Sequence, residues 1–124
     1  MRALVVDDSR SMRMILARTL RELGFEVFEA AQGQDALRWL NQGGEVDLML
    51  VDWNMPVMNG YELVVAVRAN VLLGNIRILM VTTETSIGHV EKALAAGANE
   101  YLMKPFTREL LLEKLALLGL QNQL

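Results

Sequence analysis

Leu48 to Gly60 read LMLVDWNMPVMNG, an apolar run that ends on a carboxylate, Asp52, and is followed at once by the turn formers Pro56, Asn59 and Gly60. Short apolar runs bounded by turn signals are the mark of a strand buried on both faces. A charged residue at the end of such a strand stands at the edge of a sheet, where it stays open to solvent.

The same pattern repeats outward in both directions. Ala3 to Val6 is a short apolar run ending in Asp7 and Asp8. Asp8 or Ser9 can cap a helix whose Met12, Leu16, Leu20 and Leu23 recur at helical spacing until Gly24 stops it. Phe25 to Ala30 predicts a second strand, and Gly33 to Gln42 a second helix with Ala36, Leu37 and Leu40 on one side, ended by Gly43 and Gly44. The central strand extends over Val46 to Val51, apolar except for Asp47, and Tyr61 to Ala69 gives a third helix. Ile76 to Val81 is a fourth strand and Ser86 to Ala96 a fourth helix. Asn99 to Met103 is a fifth strand, and Thr107 to Leu118 a closing helix. Strand and helix alternate five times, and the strands are rich in Val, Ile and Leu, as a parallel sheet covered on both faces requires. The fold class is α/β, a doubly wound parallel sheet of five strands with five helices on its two faces. Sites in such sheets lie beyond the carboxyl ends of the strands.

At 124 residues the chain is expected to be a single domain, 1–124. It has no cysteine, which removes disulfides, thiolate chemistry and the common zinc frameworks. A net charge of -3 and an isoelectric point near 5.1 speak against direct nucleic-acid binding, which needs a basic footprint. Its apolar runs fall short of a membrane span, and no basic-then-apolar leader opens the chain, so the expectation is a cytoplasmic protein with no membrane association. The segment after Leu118, with Gln121, Asn122 and Gln123, reads as a fraying end or the start of a linker.

Polar residues stand just past nearly every strand: Asp7 and Asp8 after the first, Asp52 after the third, Thr82 and Thr83 after the fourth, Lys104 after the fifth. In a parallel sheet these ends converge. Two carboxylates ~4 Å apart repel by roughly 4 kcal/mol at an effective dielectric near 20. A hard divalent cation, Mg²⁺ with Mn²⁺ as a substitute, answers that repulsion, since it takes carboxylate and phosphate oxygens. A carboxylate with a metal, a lysine and a hydroxyl around it suits phosphoryl acceptance, which depends on positioning and charge neutralisation. Asp52 would be the nucleophile and form an aspartyl phosphate.

The chain resembles the response-regulator receiver family, and within it the single-domain, chemotaxis-regulator-like (CheY-like) type. The stretches that carry the likeness are VVDDS at Val5 to Ser9, LVDWNMPVMNG at Leu50 to Gly60, MVTTE at Met80 to Glu84 and AGANEYLMKPF at Ala96 to Phe106. Each alone is weak; together, in order and in strand context, they are specific. The resemblance implies a flavodoxin-like sheet in the order 2-1-3-4-5. It implies Asp52 as phosphoacceptor and Asp7 and Asp8 as the metal-binding acidic pair, Asp8 the more direct ligand, with Asn54 lending its backbone carbonyl. Thr82 and Lys104 would contact the phosphoryl group, Tyr101 would be the switch aromatic that turns inward when Thr82 moves, and the Lys104–Pro105 bond would be cis. Asn54 and Glu84 occupy positions that tune the lifetime of the phosphorylated state in relatives. Thr83 departs from the Ala or Gly often found there, and its methyl group narrows access to Asp52.

The function so implied is a phosphorylation-activated switch of a two-component system, not an enzyme acting on external substrates. A histidine kinase or phosphotransfer domain would donate the phosphoryl group. An unknown downstream protein would read the fourth helix, fifth strand and fifth helix, including His89, Lys92, Tyr101 and Phe106. The chain would be a monomer or a weak phosphorylation-dependent dimer. Three alternatives stand beside this reading: a Mg²⁺-dependent aspartyl-phosphate phosphatase, a flavodoxin-like or nucleotide-binding module, and a receiver fold used for contacts alone. The first needs a second acid two residues past Asp52, where Asn54 stands; the second needs glycines in the first loop, which reads DDSRS. A receiver fragment of a larger response regulator or hybrid kinase is a further variant. Individual residues also have plainer readings. Asp7 and Asp8 can cap a helix, Asp52 can open a turn, and Thr82, Thr83 and Tyr101 can be strand packing. The methionines fill the core, His89 is a solvated helix residue and Trp39 packs a helix. Trp53 is placed to report binding at Asp52.

Overall fold

The computed structural model describes residues 1–83 and 87–120. Five strands, β1 (Arg2–Val6), β2 (Glu26–Ala30), β3 (Leu48–Val51), β4 (Arg77–Thr82) and β5 (Glu100–Met103), form one sheet in the order β2-β1-β3-β4-β5, every pair parallel. Five helices connect and cover them: α1 (Arg10–Glu22), α2 (Gly33–Asn41), α3 (Gly60–Arg68), α4 (Ile87–Ala96) and α5 (Arg108–Leu117). This is the expected doubly wound α/β architecture and strand order.

Side chains alternate across a strand, and here the alternation sorts the core into two halves. Ala3, Val5, Leu48, Leu50, Leu79, Val81 and Leu102 face α1 and α5, whose Leu16, Leu20, Leu111 and Leu115 complete one cluster. Leu4, Val6, Met49, Val51, Ile78, Met80 and Tyr101 face the other way, against Ala36, Leu40, Leu63, Val64, Val67 and Ala93 from α2, α3 and α4.

Helix ends follow the expected chemistry. Ser9, not Asp8, caps α1, its side chain accepting the Met12 N–H. Gly24, at φ 95°, turns the chain out of α1 while the Phe25 N–H bonds Leu20 O at 3.0 Å. Asn59 and Glu62 form a reciprocal capping box at α3, which therefore opens at Gly60 rather than Tyr61.

Other differences are local. β3 begins at Leu48 instead of Val46, because Asp47 turns its carboxylate to the Arg2 N–H at 2.9 Å, although its own backbone still bonds Arg2 and Arg77. A 3₁₀ turn at Val71–Leu73, capped by the Asn70 side chain, was not foreseen. The segment past Leu118 is not wholly a fraying end: Leu120 is buried in the α1/α5 half of the core and its N–H bonds Leu115 O at 2.9 Å. Gln121, Asn122 and Gln123 lie outside the described residues, as does Ser86, the expected first residue of α4. Among the described residues no helix is long and apolar enough to cross a membrane.

Candidate functional site

Strand order decides where the site forms. β1 lies between β2 and β3, so the chain leaves the sheet in opposite directions from neighbouring strands, and a crevice opens beyond their carboxyl ends. In register Val6 pairs with Val51 and Thr82 with Met103, which brings Asp7 beside Asp52 and Thr82 beside Lys104. Backbone bonds continue past the strands: Asp7 N–H to Ala30 O at 3.2 Å, Asp52 N–H to Val6 O at 3.0 Å, Lys104 N–H to Thr82 O at 2.9 Å. The functional side chains thus hang from fixed backbone.

Asp7 is 1% exposed and Asp52 8%, while Asp8 lies open at the rim. One oxygen from each lies within 4.8 Å of the others. Lys104 Nζ stands between the two buried acids, 2.9 Å from Asp7 Oδ2 and 3.6 Å from Asp52 Oδ2. Asp7 Oδ1 accepts the Ser9 N–H at 2.9 Å, and the Asp7 carbonyl accepts Arg13 Nη1 at 2.7 Å. One lysine cannot neutralise three carboxylates. Burial pushes the Asp52 carboxyl above its ordinary value; the Thr82 hydroxyl hydrogen bond, the Lys104 charge and the Asn54 amide pull the other way, and Asp7 adds to the rise. The donor set is all oxygen, hard and anionic, which fits Mg²⁺, with Mn²⁺ suited to the same ligands.

The loop that follows Asp52 turns sharply away from β3. Trp53 O accepts the N–H of Met55 at 3.1 Å and of Gly60 at 2.8 Å, folding the loop back on itself. A Cβ on residue 60 would lie 2.2 Å from Asp52 O, so only glycine allows this approach. Val57 sits at φ 68° between Pro56 and Met58, whose O and N–H bond at 2.8 Å in a three-residue turn.

Asp7, Asp8, Asp52, Thr82 and Lys104 therefore meet at one edge. Asn54 is exposed beside them, its N–H 3.4 Å from Asp52 Oδ1. Thr83 is exposed at the end of β4, and the Lys104–Pro105 bond is cis. Glu84 lies outside the described residues. Tyr101, expected to turn inward only when Thr82 moves, is already 7% exposed and packed in the α2/α3/α4 half of the core. Ala93 and Ala98 belong to the same cluster.

His89 is a correction. It is a half-buried residue whose ring centroid lies 4.7 Å from that of Trp53, edge to face, because the loop after Asp52 carries Trp53 to the first turn of α4. Trp53 is itself buried and stacks on Tyr61 at 5.6 Å, and Lys92 Nζ lies 4.6 Å from the Tyr61 centroid. Phe106 is partly buried against the α1/α5 half of the core. Among the described residues, the exposed large apolar side chains of α4, β5 and α5 are Ile87, Leu94, Met103, Leu110 and Leu117. Sequence reading also missed Arg68, which looks like an ordinary basic residue in the last turn of a helix.

A model of the response regulator receiver domain matches residues 3–116. Chemotaxis protein CheY1 of Helicobacter pylori is 47% identical over 116 residues, covering 93% of this chain and 94% of its own. The chemotaxis protein CheY homolog of Campylobacter jejuni is 48% identical, covering 93% and 89%. The solved structure of chemotaxis protein CheY4 of Vibrio cholerae superposes with a TM-score of 0.85 at 43% identity, over 93% of this chain and 95% of that one.

Proposed function

The chain belongs to the response-regulator receiver family, and from that premise we propose that it is a cytoplasmic phosphorylation switch in which Asp52 is the acceptor. The supporting observation is the placement of Lys104 Nζ between two buried carboxylates at a strand edge, 3.6 Å from Asp52.

An Asp52 oxygen attacks the phosphorus of a phosphohistidine on a histidine kinase or phosphotransfer domain. A P–O bond forms as the P–N bond breaks, and the imidazole nitrogen leaves with the bond's electron pair. Lys104 holds a phosphoryl oxygen by a charge-assisted bond and Thr82 donates its hydroxyl to another. Asp7, Asp8, Asp52 and the Asn54 carbonyl would hold Mg²⁺ or Mn²⁺, which would supply positive charge for the phosphoryl oxygens. Thr83 limits access at the rim, and Asn54 and Glu84 tune how long the acyl phosphate lasts.

The new charge biases Thr82 and Tyr101, and through them the α4, β5 and α5 face, where a downstream protein binds. The names of the relatives make chemotaxis the process to examine first. The protein acts by binding, as a monomer or a weak phosphorylation-dependent dimer, and its chemistry is confined to its own phosphoryl group. Intact-mass measurement after incubation with acetyl phosphate and Mg²⁺ tests the acceptor: one phosphoryl group is expected on the wild type. A gain of the same size in Asp52→Asn would sink the assignment.

A further inference from the structure

Helix α4 fully buries only Ala93, with Val90 and Ala96 partly buried against the same half of the core, so contacts at its ends weigh heavily in how it sits. Those ends are held by unlike devices. At the carboxyl end Arg68, from the last turn of α3, donates Nε to Gly97 O at 2.9 Å and Nη2 to Ile76 O at 2.7 Å and Asn99 Oδ1 at 2.8 Å. Gly97 lies at φ 118°, and a Cβ there would come within 2.5 Å of Arg68 Cγ. One guanidinium, half withdrawn from water, thus ties the end of α3 to the start of β4 and the exit of α4. At the amino end, among the described residues, a pair of rings meets, His89 against Trp53 at 4.7 Å with planes at 68°. Trp53 follows the acceptor directly, and its carbonyl folds the acceptor loop.

We propose that His89 is a positioning residue: its ring latches the first turn of α4 onto the acceptor loop through Trp53, while Arg68 is the pivot at the other end. Charge-assisted bonds to several carbonyls are directional and stiff. An edge-to-face ring contact is weaker and slides without breaking. Movement of the acceptor loop therefore reaches α4 as a swing of its first turn about the Gly97 end, and Lys92 over the Tyr61 ring, which itself stacks on Trp53, limits the swing.

The inference goes beyond the phosphorylation reading, and its test needs no phosphoryl group, so the two can fail separately. In a Trp39→Phe background, amide hydrogen exchange is followed residue by residue together with acrylamide quenching of Trp53. The Glu91 and Lys92 amides report the first turn, since helical N–H groups bond four residues back; Ala96 and Ala98 report the pivot end, Ala98 N–H bonding Ala93 O at 3.0 Å. His89→Ala is expected to speed exchange at Glu91 and Lys92 by about two- to tenfold, the worth of one aromatic pair. It should also expose Trp53 to quencher and leave Ala96 and Ala98 unchanged. His89→Phe, which returns a ring, should restore both readouts, and Arg68→Lys should loosen Ala96 and Ala98 instead. If Arg68→Lys does not fold, the two His89 variants decide alone. Unchanged exchange and quenching in His89→Ala overturns the proposal, as does loosening of all of α4 together or failure of His89→Phe to rescue.

Discussion

Lys104→Met should reveal how the acidic cluster is held without a metal. Its Nζ lies 2.9 Å from Asp7 Oδ2 and 3.6 Å from Asp52 Oδ2, and all three side chains are about nine-tenths buried or more. At such distances a unit pair is worth roughly 4 kcal/mol at an effective dielectric near 20. Removing one partner of a buried pair costs about 3 kcal/mol or more, because the other charge is stranded. Methionine keeps the apolar stem, so the loss is electrostatic. In EDTA at neutral pH the variant should unfold about 10 °C below the wild type. Saturating Mg²⁺ should then stabilise the variant more than the wild type, since a cation at Asp7, Asp8 and Asp52 takes over the lysine's neutralising role. Thermal melts of both proteins in EDTA and in Mg²⁺ give four midpoints. A gap of the same size in both conditions would refute the reasoning, since Lys104 would then be supporting packing and not balancing charge.

Asp52→Asn, compared with wild type in EDTA by urea unfolding, tests the raised Asp52 carboxyl. A group whose folded pKa is raised gives stability below its unfolded value, 3.8 here, and loses it as pH rises through the folded value. The variant should be the more stable at pH 7, the gap closing as pH falls toward 3.8; a pH-independent gap contradicts the burial argument. Val57→Asn relieves a β-branched residue at φ 68° that is 86% exposed, a conformation costing roughly 1–2 kcal/mol in an L-residue. A gain of about 1 kcal/mol in the urea midpoint analysis is expected, and no gain would mean the turn is unstrained. Thr83→Ala should speed phosphorylation by acetyl phosphate by up to about tenfold, equivalent to roughly 1.4 kcal/mol of obstruction; an unchanged rate would clear Thr83 of any part in access.

The candidate site edge was legible because its polar residues fall at strand ends, and uninterrupted apolar runs mark those ends well. Asp52 after Leu48–Val51 and Lys104 after Glu100–Met103 need no long-range knowledge to be placed. Strand order did: nothing local says that β1 lies between β2 and β3, and it came from likeness to a family. The start of α3 was within reach, since Asn59 and Glu62 have capping-box spacing, yet the apolar repeat drew attention to Tyr61. Arg68 and His89 could not have been found. An arginine in the last turn of a helix looks solvated, and here it turns inward to carbonyls that lie up to 29 residues away. His89 meets Trp53 across 36 positions of chain, and periodicity carries no signal for one ring against another at that separation. The burial of Tyr101 was not read, because it depends on how the helices on that side of the sheet pack.

The two-sided core also divides the consequences of mutation. Trp53, Met80, Ala93 and Tyr101 lie together on the α2/α3/α4 side, whereas Leu16, Leu20, Leu50, Val81 and Leu111 lie on the other. Adjacent strand positions therefore belong to different halves: a change at Val81 is expected to act on packing against α1 and α5, one at Met80 on the half that also holds Trp53 and Tyr101. The two halves can thus be perturbed separately by substitutions one residue apart along the same strand.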